Sequence, residues 1–231
     1  MFDNKDLQLK NLLIGIRHSR NFKSLDNWGE FADLIIDNKK SAFSQKYFDR
    51  ISESSPYEKS ICNSKNNNYI KATQFDLIYS HDTDETCDFD KEYKEFLERF
   101  LEGVVPNIIP KHHIEDFSRV GIVYQFKIKN VEKYKKYIAN ILNSKFTNIN
   151  TLRFSEKDTV AESKLLKDTN DYINKIYTFT IDSNDEAIFT YDFQYYFNPI
   201  KSVFSQCNIP KLSELSTKTL ISDLKKISGE N

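Results

Sequence analysis

Between Lys175 and Phe197 the chain reads KIYTFTIDSNDEAIFTYDFQYYF, with aromatic and β-branched residues alternating with polar ones on either side of a polar SNDE segment. Successive side chains of a strand point to opposite faces. Tyr177, Phe179 and Ile181 therefore share one face of a first strand, and Phe189, Tyr191, Phe193, Tyr195 and Phe197 share one face of a second. The pattern predicts an antiparallel hairpin whose apolar side can cover a layer of helices. A second alternation, RVGIVYQFKIK at 119–129, puts Ile122, Tyr124, Phe126 and Ile128 on one side and Gln125, Lys127 and Lys129 on the other. The short apolar run LLIGIR at 12–17 reads as a further strand, and YIKATQFDLIYS at 69–80 as another strand region.

Helical spacing takes over between these segments. Trp28, Phe31, Ala32, Ile35 and Ile36 recur at i, i+3, i+4, i+7 and i+8 behind the capping candidates Ser24 and Asp26. Tyr93, Phe96, Leu97, Phe100, Leu101 and Val104 line one side of a second helix, capped by Asp88 or Asp90 and stopped by Pro106 and Pro110. Asn130 would cap a third helix carrying Val131, Tyr134, Ile138, Ile141 and Leu142. The tail from Ser216 carries Leu220, Ile221, Leu224 and Ile227 up to a glycine cap at Gly229. Residues 39–68 are polar and irregular, with a short element at 43–51, and 151–154 reads as a strand before the charged loop EKDTVAESKLLKD.

This order predicts an α+β fold, with antiparallel sheet or sheets and amphipathic helices packed on one face. The succession also suggests two loosely duplicated strand–helix–strand halves, 1–108 and 109–231, which form either two units or one compact domain. A chain of 231 residues can bury a sizeable core without disulfides or metal.

Charge narrows the function classes. The 33 basic and 34 acidic residues give a net charge of −1, which removes a general electrostatic drive toward nucleic acid or anionic membrane. Cys62, Cys87 and Cys207 are far apart and never form a C-x-x-C pair, so neither a disulfide framework nor a zinc finger is indicated. No stretch resembles a signal peptide or a membrane span, so a cytoplasmic protein is expected. The five glycines are too dispersed for a G-x-G-x-x-G loop, a Walker loop or a G-x-S-x-G elbow.

Three groups remain as candidate chemistry. HHIED contains His112, His113, Glu115 and Asp116, the densest metal-ligand candidate, although adjacent histidines point apart on either a strand or a helix. His81, Asp82, Asp84, Glu85 and Asp88 form an acidic group whose simpler role is to cap the following helix. Arg17 and Arg20 close the first strand, and Lys127, Lys129, Lys133, Lys135 and Lys136 form a basic patch with Tyr134 and Tyr137 nearby, the ingredients of a nucleic-acid face.

RVGIVYQFKIKNVEKY, with the later Asp192 and Tyr196, resembles a sporadically distributed family of uncharacterised bacterial proteins in which an arginine–valine or arginine–isoleucine–glycine strand leads into a helix. Arg119, Val120, Gly121 and Tyr124 carry the likeness; an arginine expected near Val123 is missing. The resemblance implies a bacterial or phage accessory gene, defence-related among the options, and lends no activity. The expectation is therefore a non-catalytic interaction or regulatory protein without cofactor, acting as a homodimer or with a protein partner. A weak nucleic-acid-binding component is the first alternative and a metal-dependent enzyme using HHIED the second. The dimer follows from the edge that a long aromatic strand at 188–197 would expose.

Overall fold

In the computed structural model, which describes residues 6–26, 28–36, 43, 47–84, 88–132, 151–159, 170–181 and 186–228, the alternating segments become strands of one antiparallel sheet. The chain runs β1 (Leu7–Arg17), α1 (Lys23–Asp26), α2 (Trp28–Ile36), β2 (Arg50–Ser55), β3 (Glu58–Cys62), β4 (Tyr69–Thr73), β5 (Asp76–Asp82) and α3 (Phe89–Glu98). A π-helical turn (Arg99–Val104), α4 (Val105–Ile108), β6 (Phe117–Ile128), β7 (Thr151–Thr159), β8 (Tyr172–Ile181), β9 (Ala187–Lys201), a 3-10 turn (Phe204–Cys207) and α5 (Ile209–Ser228) follow. Among the described residues the sheet has nine strands in the order β2-β3-β4-β5-β1-β6-β9-β8-β7. The fold is α+β, dominated by its sheet.

Register is set by the apolar rows. Tyr124 pairs with Tyr191 and Tyr191 with Tyr177, while Phe126, Phe189 and Phe179 line up beside them. These rings are buried on one face, and Phe126 to Phe189 and Phe179 to Phe189 stack at 6.2 and 4.7 Å. Helices reach the same face: the Tyr124 hydroxyl donates to Tyr93 of α3 at 2.9 Å and lies 2.9 Å from Ser216 of α5, and Tyr79 stacks on Phe96 at 5.2 Å.

Several elements differ from expectation for identifiable reasons. β1 begins at Leu7 because a bulge between Leu9 and Asn11 absorbs Lys10, keeping Leu7 and Leu9 on the buried side with Leu12, Ile14 and Ile16. The polar stretch read as loop contains the β2–β3 hairpin, an outer pair whose side chains are mostly not buried. The 69–80 strand region is two strands, since the Thr73 hydroxyl accepts from the amides of Phe75 and Asp76 and turns the chain. Ser24 and Asp26 lie inside α1; Asn21 caps it instead, its side chain accepting from the Lys23 amide at 2.8 Å.

Pro106 does not stop the helix. It sits at the start of α4, after the π-helical turn, where a missing N–H costs nothing. Pro210 likewise opens α5, which begins well before Ser216. β7 extends through the charged residues 155–159. Asp88 caps α3 as expected, accepting from the Lys91 amide at 3.0 Å. The helix expected after Asn130, apart from its first residues, and the glycine cap at 229 lie outside the described residues. β9 is not an edge: β6 and β8 flank it, so the reason given for a dimer does not hold. Among the described residues the edges are β2 and β7, and both carry charges that discourage strand addition.

Candidate functional site

Across the middle of the sheet, the residues that point away from the aromatic core form continuous rows. Asp76, Arg17, Arg119, Tyr196 and Tyr172 stand opposite one another on β5, β1, β6, β9 and β8. One row along lie Ile78, Gly15, Gly121, Gln194 and Asn174, and beyond them Ser80, Leu13, Val123, Asp192 and Ile176. Most of these side chains are half-buried. Gly15 faces Gly121 across the β1–β6 seam, leaving a side-chain-free floor at the centre of the face.

The rim of this floor is a connected polar network. Arg119 sits 3.6 Å from Asp76 and donates to the Tyr196 hydroxyl at 3.5 Å. Tyr196 donates to Gln194 at 2.9 Å, and Gln194 donates to Asp192 at 2.7 Å, while Asn174 donates to Gln194 at 3.3 Å. Burial pushes the Asp192 carboxyl above the usual range, against the pull of Gln194, Arg119 and Arg153. Tyr196 and Tyr172 stack at 4.5 Å with planes 7° apart, and the column is closed by the Lys157 ammonium 4.1 Å above Tyr172 and the Arg119 guanidinium 5.8 Å from Tyr196. Both ring faces of each tyrosine are thus already taken.

Positive charge prevails here. Around the glycine floor, among the described residues, Arg17, Arg119, Arg153 and Lys157 stand against Asp76 and Asp192. Arg17 lies over the Phe75 ring and Arg153 acts on Asp192 through its charge, but neither guanidinium group forms an ion pair or hydrogen bond among the described residues.

Of the basic residues singled out from sequence, Arg17 and Lys127 alternate onto this face, Lys129 is exposed just past the end of β6, and Arg20 is exposed beyond the end of β1, donating to Gln74 at 3.3 Å. Lys133, Lys135 and Lys136 lie outside the described residues. Sequence reasoning missed Arg153, Lys157 and Tyr172; isolated glycines at Gly15 and Gly121 inside strand patterns were the available signal.

The HHIED residues do not converge. His112 is buried and His113 exposed, as adjacent residues must diverge, and Asn21 pins both of their carbonyls at 2.9 and 3.1 Å. His113 and Asp116 adopt positive φ of 51° and 59°, turning the segment rather than focusing it. Among the described residues no three His, Cys, Asp or Glu side chains gather as a metal site would require. The acidic group splits too: His81 faces the core and Asp82 the opposite side, while Glu85 lies outside the described residues.

The core face holds two polar clusters. Tyr47 places its hydroxyl 2.8 Å from that of Tyr79 and 2.5 Å from Nδ1 of His81, whose Nε2 is 3.1 Å from Glu92. Burial lowers the His81 pKa and pushes the Tyr47 phenol up to about 12, so both groups are neutral near pH 7 and Tyr47 is a poor nucleophile. Lys175, 3% exposed, meets Glu156 and Asp158 at 2.8 Å each and Asp223 of α5 at 3.6 Å. Comparison of the chain with protein-family models, curated proteins and solved structures finds no match.

Proposed function

We propose that the protein is a non-catalytic binding protein of a bacterial or phage accessory gene cluster, which engages an acidic partner through the sheet face that carries Gly15 and Gly121. In this reading α3 and α5 cover the aromatic face of the sheet. The chain is taken as two loosely duplicated halves, 1–108 and 109–231, with the binding floor on the seam between them. The observation that carries the reading is the pair of guanidinium groups, Arg17 and Arg153, that make no ion pair or side-chain hydrogen bond among the described residues, on a face centred on two opposed glycines. Charge of one sign around a bare floor steers an oppositely charged partner and fixes its register.

Nucleic acid is the second reading, favoured by the presence of Arg17 and Lys127 on that same face. It loses its stacking platform, because the Tyr172 and Tyr196 rings are covered by each other, Lys157 and Arg119. Phosphate contacts alone give a Kd weaker than about 1 µM at physiological salt.

Fluorescence anisotropy with a labelled oligoglutamate peptide and with a labelled single-stranded oligonucleotide separates the two. The peptide should bind more tightly than the oligonucleotide, and Arg17→Glu combined with Arg153→Glu should abolish its binding. Peptide binding that survives both charge reversals would remove this face as the site. A submicromolar oligonucleotide Kd with a steep salt slope would promote nucleic acid instead.

A further inference from the structure

At the far end of the same sheet face, a cleft of about 250 Å³ opens between the start of β1, the end of β5, the end of β6 and the residue before β9. Gln8, Lys10, Asp82, Thr83, Lys127 and Glu186 line it. Lys127 is six residues along β6 from Gly121, roughly 20 Å away at about 3.3 Å per residue, so the cleft is a separate place from the glycine floor.

The β1 bulge builds this cleft. The extra residue in the ladder is Lys10, and its backbone is held by Thr83, whose amide donates to the Lys10 carbonyl at 3.0 Å and whose hydroxyl donates to the Leu9 carbonyl at 2.9 Å. A bulge re-aims one side chain out of the strand's alternation, and here that side chain is an ammonium group brought toward Lys127. Both ammonium groups converge on the Glu186 carboxylate, Lys127 at 2.8 Å and Lys10 at 3.5 Å. The hydrogen bond from Lys127 and the nearby charge of Lys10 hold the Glu186 carboxyl below the usual carboxylate range.

The floor carboxylate differs in kind. Asp82 accepts from the Asn11 side chain at 2.8 Å and from the amide and side chain of Asn67 at 2.7 and 3.2 Å, so its oxygens are committed to neutral donors. Glu186 meets two ammonium groups close to the solvent: its side chain is 29% exposed and each lysine side chain 44%. Ion pairs this exposed bind weakly and exchange readily with dissolved ions.

We propose that this cleft is a binding site for a small anion of the carboxylate or phosphate type, which displaces Glu186 and is held between the ammonium groups of Lys10 and Lys127. Glu186 is the internal occupant of the site. Two cations at a fixed separation suit a group with two or more charge-bearing oxygens, each lysine taking one. Asp82 disfavours ligands that extend a second negative charge toward the floor.

The test is a heteronuclear NMR titration of the full chain with inorganic phosphate and, separately, with acetate. Shifts are expected at the amides of Lys10, Thr83 and Glu186, with saturation in the millimolar range. Glu186→Gln, which removes the competing charge, should tighten binding about fivefold, the size expected for freeing two exposed ion pairs. Lys10→Met with Lys127→Met should abolish the shifts, and an unaltered thermal midpoint shows that the variant is folded. The probe that binds more tightly names the head group. Shifts centred on Arg17 and Arg119, no tightening in Glu186→Gln, or no shifts with either probe would each overturn the proposal without touching the reading of the glycine floor.

Discussion

Replacing Lys175 by methionine tests what fastens α5 to the sheet. Methionine keeps the length and apolar stem of the side chain, so the lost quantity is the ammonium. Its contacts with Glu156 and Asp158 reach carboxylates that are 53% and 45% exposed, and such pairs contribute only about 0.2–1 kcal/mol each. Asp223 is different, with its side chain 5% exposed. Stripping a buried carboxylate of its partner costs about 3–5 kcal/mol when nothing else compensates. Here Tyr177 donates at 2.7 Å, Tyr191 at 3.2 Å and Lys226 at 3.0 Å, and these contacts cut that penalty substantially. The expected loss for Lys175→Met is about 2–3 kcal/mol, a fall in Tm of about 5–10 °C for a chain of this size. Urea unfolding followed by circular dichroism measures it. Asp223→Asn removes the charge that Lys175 answers, so the double variant should recover at least about 1 kcal/mol relative to the sum of the single losses. Additivity within about 0.3 kcal/mol, or a Lys175→Met protein as stable as the parent, would refute the reasoning.

Deleting Lys10 should lower stability by no more than about 1–2 kcal/mol, because Leu7 and Leu9 stay on the buried side when the bulge closes, whereas deleting Leu13 moves Leu7, Leu9 and Leu12 to the open side and should prevent folding. Parallel urea titrations of the two deletions decide this. Stability should also fall as the pH drops from about 7 to about 5. Burial lowers the pKa of His18, His81 and His112, so the unfolded chain binds more protons below about 6.5 and acid favours it. A urea midpoint that stays constant across that range would contradict the burial of these rings.

The hairpin, the rows on β6 and the helices at 28–36 and 89–98 were legible because a single period runs through each. β1 was only half legible, since Lys10 interrupts the alternation and the strand reads as starting at Leu12. β2 and β3 were hidden by polarity: a strand with neither face well buried leaves no periodic signal, and Glu53 and Lys59 read as loop. Pro106 misled because proline stops a helix from inside but is tolerated in a first turn. The candidate site was less legible still. Arg17 and Arg119 are about a hundred residues apart in sequence and become neighbours only through the β1–β6 register. Histidines adjacent in sequence, by contrast, advertised a cluster that the backbone separates.

The place of β1 in the sheet governs how the chain can be made. Its partner β6 follows about a hundred residues later, a delay of roughly 5–20 s at the pace of a ribosome. β5 arrives sooner and can close the first meander onto one side of β1, leaving the other side bare. During that interval the nascent protein carries an apolar strand with an open row of backbone donors and acceptors. A chain released before β6 would be sticky along that row, and adding to it is the same act, with the same geometry, as completing the sheet.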